Sequence, residues 1–275
     1  MPDLIISASA PDAGFAIVAG ITTDLVREAQ HRHGLSPTAT AAVGRLTTGA
    51  ALLGSSLKGK ERISLQVSGD GPLASVVADV WLIDEERIAA RGYAKFPQAD
   101  LPLNDLGKFD VAGAVGSGSM QVTKSYEVGQ PYVGVVPLYT GEIAEDIAAY
   151  LVNSEQIPSV VALGVLADPD GVKAAGGVIA QVLPGADERA VAALEQRALA
   201  MPPITKLIAE GADAHARLHA LAGPVDLRAH RTIGVQFFVP LHARKGRDRS
   251  TGFGSRRTAQ DGAGEKRNRS DLRVL

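Results

Sequence analysis

The apolar residues change period repeatedly between residue 3 and about residue 230, and that switching restricts the chain to a mixture of strands and helices. At 62–67, Ile63, Leu65 and Val67 alternate with polar residues, the mark of a strand with one face in a core. At 37–57, Ala41, Ala42, Leu46, Ala50 and Leu53 recur at helical spacing, and their small size predicts close packing against another element. The same reading gives one or two strands over 3–19, then a helix capped by Thr23-Asp24 that carries Leu25, Val26 and Ala29 and stops near Gly34. A tight turn at Gly69-Asp70-Gly71-Pro72 leads to strands over 73–94, broken at Asp84-Glu85-Glu86. A polar connection at 104–109 precedes further strands expected at 111–123 and 132–139. An amphipathic helix follows at 141–151, then strands at 158–165 and 174–182 about a turn at 168–171. Pro184 ends that module. Helices are predicted over 187–200 and 203–221, with Val191, Leu194 and Leu221 packing against neighbours.

From about His230 this pattern fails. A strand at 235–241 is the last periodic feature, and 244–273, rich in Arg, Gly, Ser and Asp, reads as a disordered basic tail. Residues 231–275 carry 11 of the 28 Lys/Arg and 4 of the 30 Asp/Glu, a net +7 against −9 for the remainder, so the two parts do not read as one evolved surface. Such a tail suits phosphate contacts. It has no interleaved aromatics beyond Phe237, Phe238 and Phe253 and matches no nucleic-acid fold, so nucleic acid is not the expected partner.

The 275 residues, 45% hydrophobic and 21% charged, suit one large domain or two smaller ones whose core needs no disulfide or metal to fold. There is no cysteine, which excludes a disulfide, a thiolate zinc site or a thiol switch within these residues. No stretch approaches the roughly 18 apolar residues of a membrane span. No basic segment precedes an apolar one at Met1-Pro2-Asp3-Leu4, so no secretion signal and a cytoplasmic location are expected.

Candidate chemistry is thin. His31 and His33 stand two apart and share no helical face, so positive charge at a helix end is their expected role. His215 and His219 share a face, but Ala216 stands where a zinc hydrolase needs Glu, and a solvated face is the better reading. Gly116-Ser117-Gly118-Ser119 lacks the Lys-Ser/Thr of a phosphate loop and reads as a hairpin, while Ala174-Ala175-Gly176-Gly177 is small for packing. Asp24, Asp70 and Glu155 have no partner group for acid–base work and are assigned to caps and turns. No nucleophile–base arrangement is present, so no enzyme and no catalytic or cofactor-binding residue is predicted.

Several blocks nonetheless share their order and spacing with one family over about 1–228. They are Thr22-Thr23-Asp24-Leu25-Val26, Gln30-His31-Arg32-His33-Gly34, Pro37-Thr38-Ala39-Thr40-Ala41-Ala42-Val43-Gly44-Arg45 and Gly69-Asp70-Gly71-Pro72. Further on come Asn153-Ser154-Glu155-Gln156-Ile157-Pro158-Ser159, the run from Ala174-Ala175-Gly176-Gly177 to Leu183-Pro184-Gly185, and Pro203-Ile204-Thr205-Lys206-Leu207-Ile208. In these the chain resembles the 33 kDa chaperonin family of redox-regulated holding chaperones.

The resemblance implies an α+β fold: a mixed sheet-and-helix domain over 1–185, a helical linker over 186–228, and a basic tail over 229–275 in place of the family's zinc module. It further implies an ATP-independent chaperone that binds unfolded or misfolded client proteins, with homodimers on activation. In the family four cysteines, as Cys-x-Cys and Cys-x-x-Cys, hold zinc, and their oxidation to disulfides frees the linker. This chain has no such ligands, and no metal site is predicted in it. Reading the codons one base later, with GTG for Val239 and CTG for Leu241, produces Cys-x-Cys there. The same frame places a second pair near Leu272 and Leu275. The expectation is therefore a reading-frame shift between about 225 and 236 that removed the switch.

Overall fold

The computed structural model describes residues 2–168, 170–186 and 188–239. Ten strands form one sheet. In chain order they are β1 (Leu4–Ala10), β2 (Phe15–Ile21), β3 (Arg62–Gly69), β4 (Ser75–Leu82), β5 (Arg87–Ala94), β6 (Gly118–Ser125), β7 (Tyr132–Pro137), β8 (Ser159–Asp168), β9 (Gly171–Val182) and β10 (Arg228–Phe237). Across the sheet they run β7-β6-β3-β4-β5-β10-β1-β2-β9-β8. All neighbours are antiparallel except β5 and β10, where Val235 lies opposite Ile88 and Phe237 opposite Ala90 in parallel register. The helices are α1 (Thr23–His33), α2 (Pro37–Leu53), α3 (Val111–Val115), α4 (Ala144–Asn153), α5 (Glu188–Ala200), α6 (Ile204–Ala209) and α7 (Ala214–Ala222). The α+β class expected from the resemblance is what the chain adopts.

The two halves of the sheet differ in cover. In β3, β4 and β6 burial alternates along each strand, one face in the core and one facing solvent. In β9 seven consecutive residues, Ala174–Ala180 by number 174–180, are buried, which requires cover on both faces. The first cover is α2, which carries buried residues on all sides, as a helix hydrophobic all round must. Ser36 starts it by accepting from the Ala39 N–H at 3.1 Å, with Pro37 in the first turn. A glycine of β5 lets the sheet come close to it: a Cβ on Gly92 would stand 2.0 Å from Thr47 Oγ1. Its buried threonines find partners, Thr47 donating to the Val43 carbonyl at 2.7 Å and Thr48 bonding Thr22 at 2.7 Å.

Several expectations change. The span 111–123 is not one strand. Asp110 accepts from the Gly113 N–H at 2.8 Å and starts α3, which buries Val111, Ala114 and Val115. Gly116, at φ +74°, then turns the chain into β6. Gly116-Ser117-Gly118-Ser119 is accordingly a helix-to-strand connection rather than a hairpin. It is zipped to Gly69-Asp70-Gly71-Pro72: Asp70 Oδ1 accepts from the Ser117 N–H at 2.7 Å, and the Gly71 N–H donates to Val115 O at 2.9 Å. The segment 203–221 is two helices, parted at Gly211 (φ +82°), with Asp213 capping α7 through the Ala216 N–H at 2.8 Å. Thr23 lies inside α1 rather than capping it, and the cap comes from afar: the Asp3 carboxylate accepts from Leu25 N–H at 2.6 Å and Asp24 N–H at 3.1 Å.

The largest change concerns the tail. Residues 228–237 are not tail but β10, in the middle of the sheet between β5 and β1, with Ile233 and Val235 buried. One compact unit runs to Val239, so the boundary drawn between 228 and 229 does not divide this structure. Positions 240–275, including Leu241, His242, Phe253, Leu272 and Leu275, lie outside the described residues, as does the packing of Val191.

Candidate functional site

The second cover consists of α5, α6 and α7, and what lies beneath it is the molecule's most extensive apolar face outside the α2 core. On β1, residues Ile6, Ala8 and Ala10 point to this face; on β2, Phe15, Ile17 and Ala19; on β9, Val178 and Ala180. Val160 and Ala162 of β8 extend it. The register lines these side chains into rows: Ala8, Ile17, Ala180 and Val160 form one, and Ile6, Ala19, Val178 and Ala162 the next. Four adjacent strands make a patch roughly 14 Å across at the usual strand spacing. Onto it fold Leu194 of α5, Ile204 of α6, and Ala214, Leu218, Leu221 and Ala222 of α7. Each of the four large aliphatics contributes about 1.5–3 kcal/mol of burial.

One polar feature stitches cover to sheet. Arg217 of α7 is fully buried; its Nη1 donates to the Gly20 carbonyl of β2 at 2.8 Å and its Nη2 to the Ala212 carbonyl ahead of α7 at 2.8 Å. Its Nε has no hydrogen-bond partner among the described residues. Burial pulls the guanidinium down to about 10, with nearby Asp213 opposing the shift. A buried cation held by carbonyls rather than by a carboxylate is directional but costly in desolvation.

The residues singled out from sequence do not converge on this face. His215 and His219 are exposed on α7 as a solvated face. His31 is exposed; His33 rests against Tyr93 and Phe237, and burial and then Arg32 lower its pKa, so Arg32 supplies the positive charge at the end of α1. Asp24 pairs with Arg27 in the first turn of α1, and Asp70 serves its turn. Glu155 accepts from the Tyr150 hydroxyl at 2.5 Å and pairs with Lys124; burial and that carboxylate push the Tyr150 phenol far above its ordinary value. Among the described residues no three His, Cys, Asp or Glu side chains come together as metal ligands. Val239 stands exposed at the end of the described chain. Sequence reasoning missed Arg217 and the face itself; the signal was the lack of alternation in 174–182, apolar or small on both parities.

The sequence model described as Hsp33 protein matches residues 3–247. The chain belongs to the Hsp33 family. Similarity to individual members is even: 40% identity over 238 residues to the 33 kDa chaperonin of Ruminiclostridium cellulolyticum, covering 86% of this chain and 80% of the relative. The 33 kDa chaperonin of Thermus thermophilus is 49% identical over 197 residues, 70% of this chain and 57% of that one. The crystal structure of the 33 kDa chaperonin of Thermotoga maritima superposes with a TM-score of 0.80 at 37% identity, covering 87% of this chain and 81% of that one. The family is one of chaperones. No helix among the described residues is long and apolar enough to cross a membrane.

Proposed function

We propose that this Hsp33 chain is an ATP-independent, cytoplasmic holding chaperone whose client surface is the β1-β2-β9-β8 face, gated by the linker helices α5–α7. The observation that carries this reading is the rows of Ile6, Phe15, Ile17, Val178 and Ala180 beneath a cover anchored by few side chains. An exposed patch of that size recruits other unfolding chains, so keeping it covered until stress is the regulatory problem the cover solves. The linker assigned to 186–228 corresponds to this cover, while the core extends to 185 and is completed by β10.

Family members use zinc held by cysteines as the latch. These 275 residues contain no thiol, so here the latch is the aliphatic anchoring and Arg217. Release follows from heat, which melts the least anchored segment first, and not from peroxide. Light scattering by an aggregating client, measured with the full chain at rising temperature with and without peroxide, tests this. Suppression that grows with temperature and ignores peroxide is expected. A strong peroxide response would refute the missing switch, and no suppression at any temperature would refute holding activity.

A further inference from the structure

Where the cover meets the core, an open cavity of about 280 Å³ lies between Thr23, Asp24, Arg27 and Lys173 on the core side and Ala212 and Arg217 on the cover side. Three cations and one carboxylate share this small space, a net charge of +2. Arg27 and Lys173 are half-exposed and reachable from solvent, while Arg217 is fully buried behind them.

The cations are unevenly provided for. Arg27 pairs through Nη1 with Asp24 and donates through Nη2 to the Val172 carbonyl at 3.1 Å. Lys173 stands 3.3 Å from Asp168 and 3.8 Å from Asp170, the second too long for a hydrogen bond. Arg217 spends both terminal nitrogens on the Gly20 and Ala212 carbonyls, which carry no countercharge, and its Nε–H finds no acceptor among the described residues. Asp213 acts on it through space, yet that carboxylate accepts from the Ala216 N–H. A buried guanidinium without a bonded counter-ion, beside a cavity that two further cations line, lacks one thing: an anion in that cavity. A dianion matches the net charge of the wall, and tetrahedral oxygens suit donors that converge from several sides.

We propose that this seam cavity is a binding site for a small oxyanion of the phosphate class. Arg27 and Lys173 donate to it from the solvent side, Arg217 supplies charge from behind, and an anion oxygen is the acceptor for the Arg217 Nε–H. Ala212 and Arg217 belong to the cover, Arg27 and Lys173 to the core, so the complete site exists only while the cover is docked. A ligand that binds only the docked state stabilises it, and phosphate is therefore a clamp on the cover. This holds whichever face takes clients. The same chemistry could arrive as free phosphate or as the end of a small phosphate monoester.

Calorimetric titration of the full chain with inorganic phosphate, at an ionic strength held constant with sodium chloride, should show a single saturable site. Lys173→Gln and Arg27→Gln, each checked for its fold by circular dichroism, should weaken binding about tenfold. Asp24→Asn removes the carboxylate that competes for Arg27 and should tighten it. With phosphate at about ten times its Kd, limited proteolysis within 188–227 should slow about tenfold in the parent and much less in Lys173→Gln, which cancels any general effect of the salt. Ethyl phosphate separates the sources: tighter binding than inorganic phosphate supports the site with a monoester as its ligand, and weaker binding supports it with the free ion. No saturable binding, binding unchanged by both glutamine variants, weaker binding by Asp24→Asn, or binding that leaves proteolysis of the cover unchanged would each overturn the proposal.

Discussion

Asp3 shows how a single residue ties three elements together. Its carboxylate caps α1 through Leu25 and Asp24, and its carbonyl accepts from Val235 N–H of β10 at 3.1 Å. Burial raises its pKa to about 6, against the lowering effect of those amide bonds. Because the folded value lies above the ordinary 3.8, its contribution is most favourable below about pH 4 and is lost as pH rises through 6. The shift is worth about 3 kcal/mol across that window. Asp3→Asn cannot titrate, so the stability difference between parent and variant should shrink by that order from pH 4 to pH 7 in urea titrations at each pH. A constant difference would show that Asp3 is not buried in its charged form. Arg217 makes the complementary case. Arg217→Ala leaves the Gly20 and Ala212 carbonyls with a cavity in place of their donor and should weaken cover docking by about 2–4 kcal/mol. Limited proteolysis should then cut within 188–227 faster while the core persists.

At the scale of elements, the cover and the α2 core are built with unequal security. Helix α2 is enclosed on all sides at near-contact spacing, and Gly92→Ala should cost about 1–3 kcal/mol of global stability through Thr47, read as a lower denaturation midpoint. Helices α5–α7 touch the sheet along one side only, and Leu199 is 82% exposed. Leu221→Asp, which places a charge at a fully buried anchor, should release α7 and raise client suppression at temperatures where the parent is inactive. If suppression stays at the parental level while proteolysis shows the cover free, the covered face is not the client surface.

For the whole molecule, β10 decides what can be cut away. It is the last strand in sequence among the described residues and stands sixth of the ten across the sheet, joining β5 to β1. A chain ending at Leu227 would leave each of those two strands without a partner on one side, splitting the sheet, and should lack a cooperative thermal transition. One ending at Val239 keeps the compact unit and should melt within a few degrees of the full chain. Thermal unfolding followed by circular dichroism separates the two outcomes.

Local chemistry made much of this legible in advance. The strands at 62–67, 73–94 and 174–182, the helix at 37–57 and the turn at Gly69-Asp70-Gly71-Pro72 follow from side-chain period and from turn residues, which act over a few neighbours. The family was readable for the same reason, because its blocks are contiguous. The sequence did not reveal that Gly116-Ser117 locks onto Asp70, that Asp3 caps a helix twenty residues on, or that Arg217 reaches Gly20. Those contacts join residues far apart in the chain, and a single sequence records no distance between them. Nor did it reveal that the short alternation at Ile233 and Val235, set among Arg228, His230 and Arg231, is a central strand. A strand's place in a sheet is chosen by which partners it pairs with, and β5 and β1 were fixed only when the whole sheet closed around it.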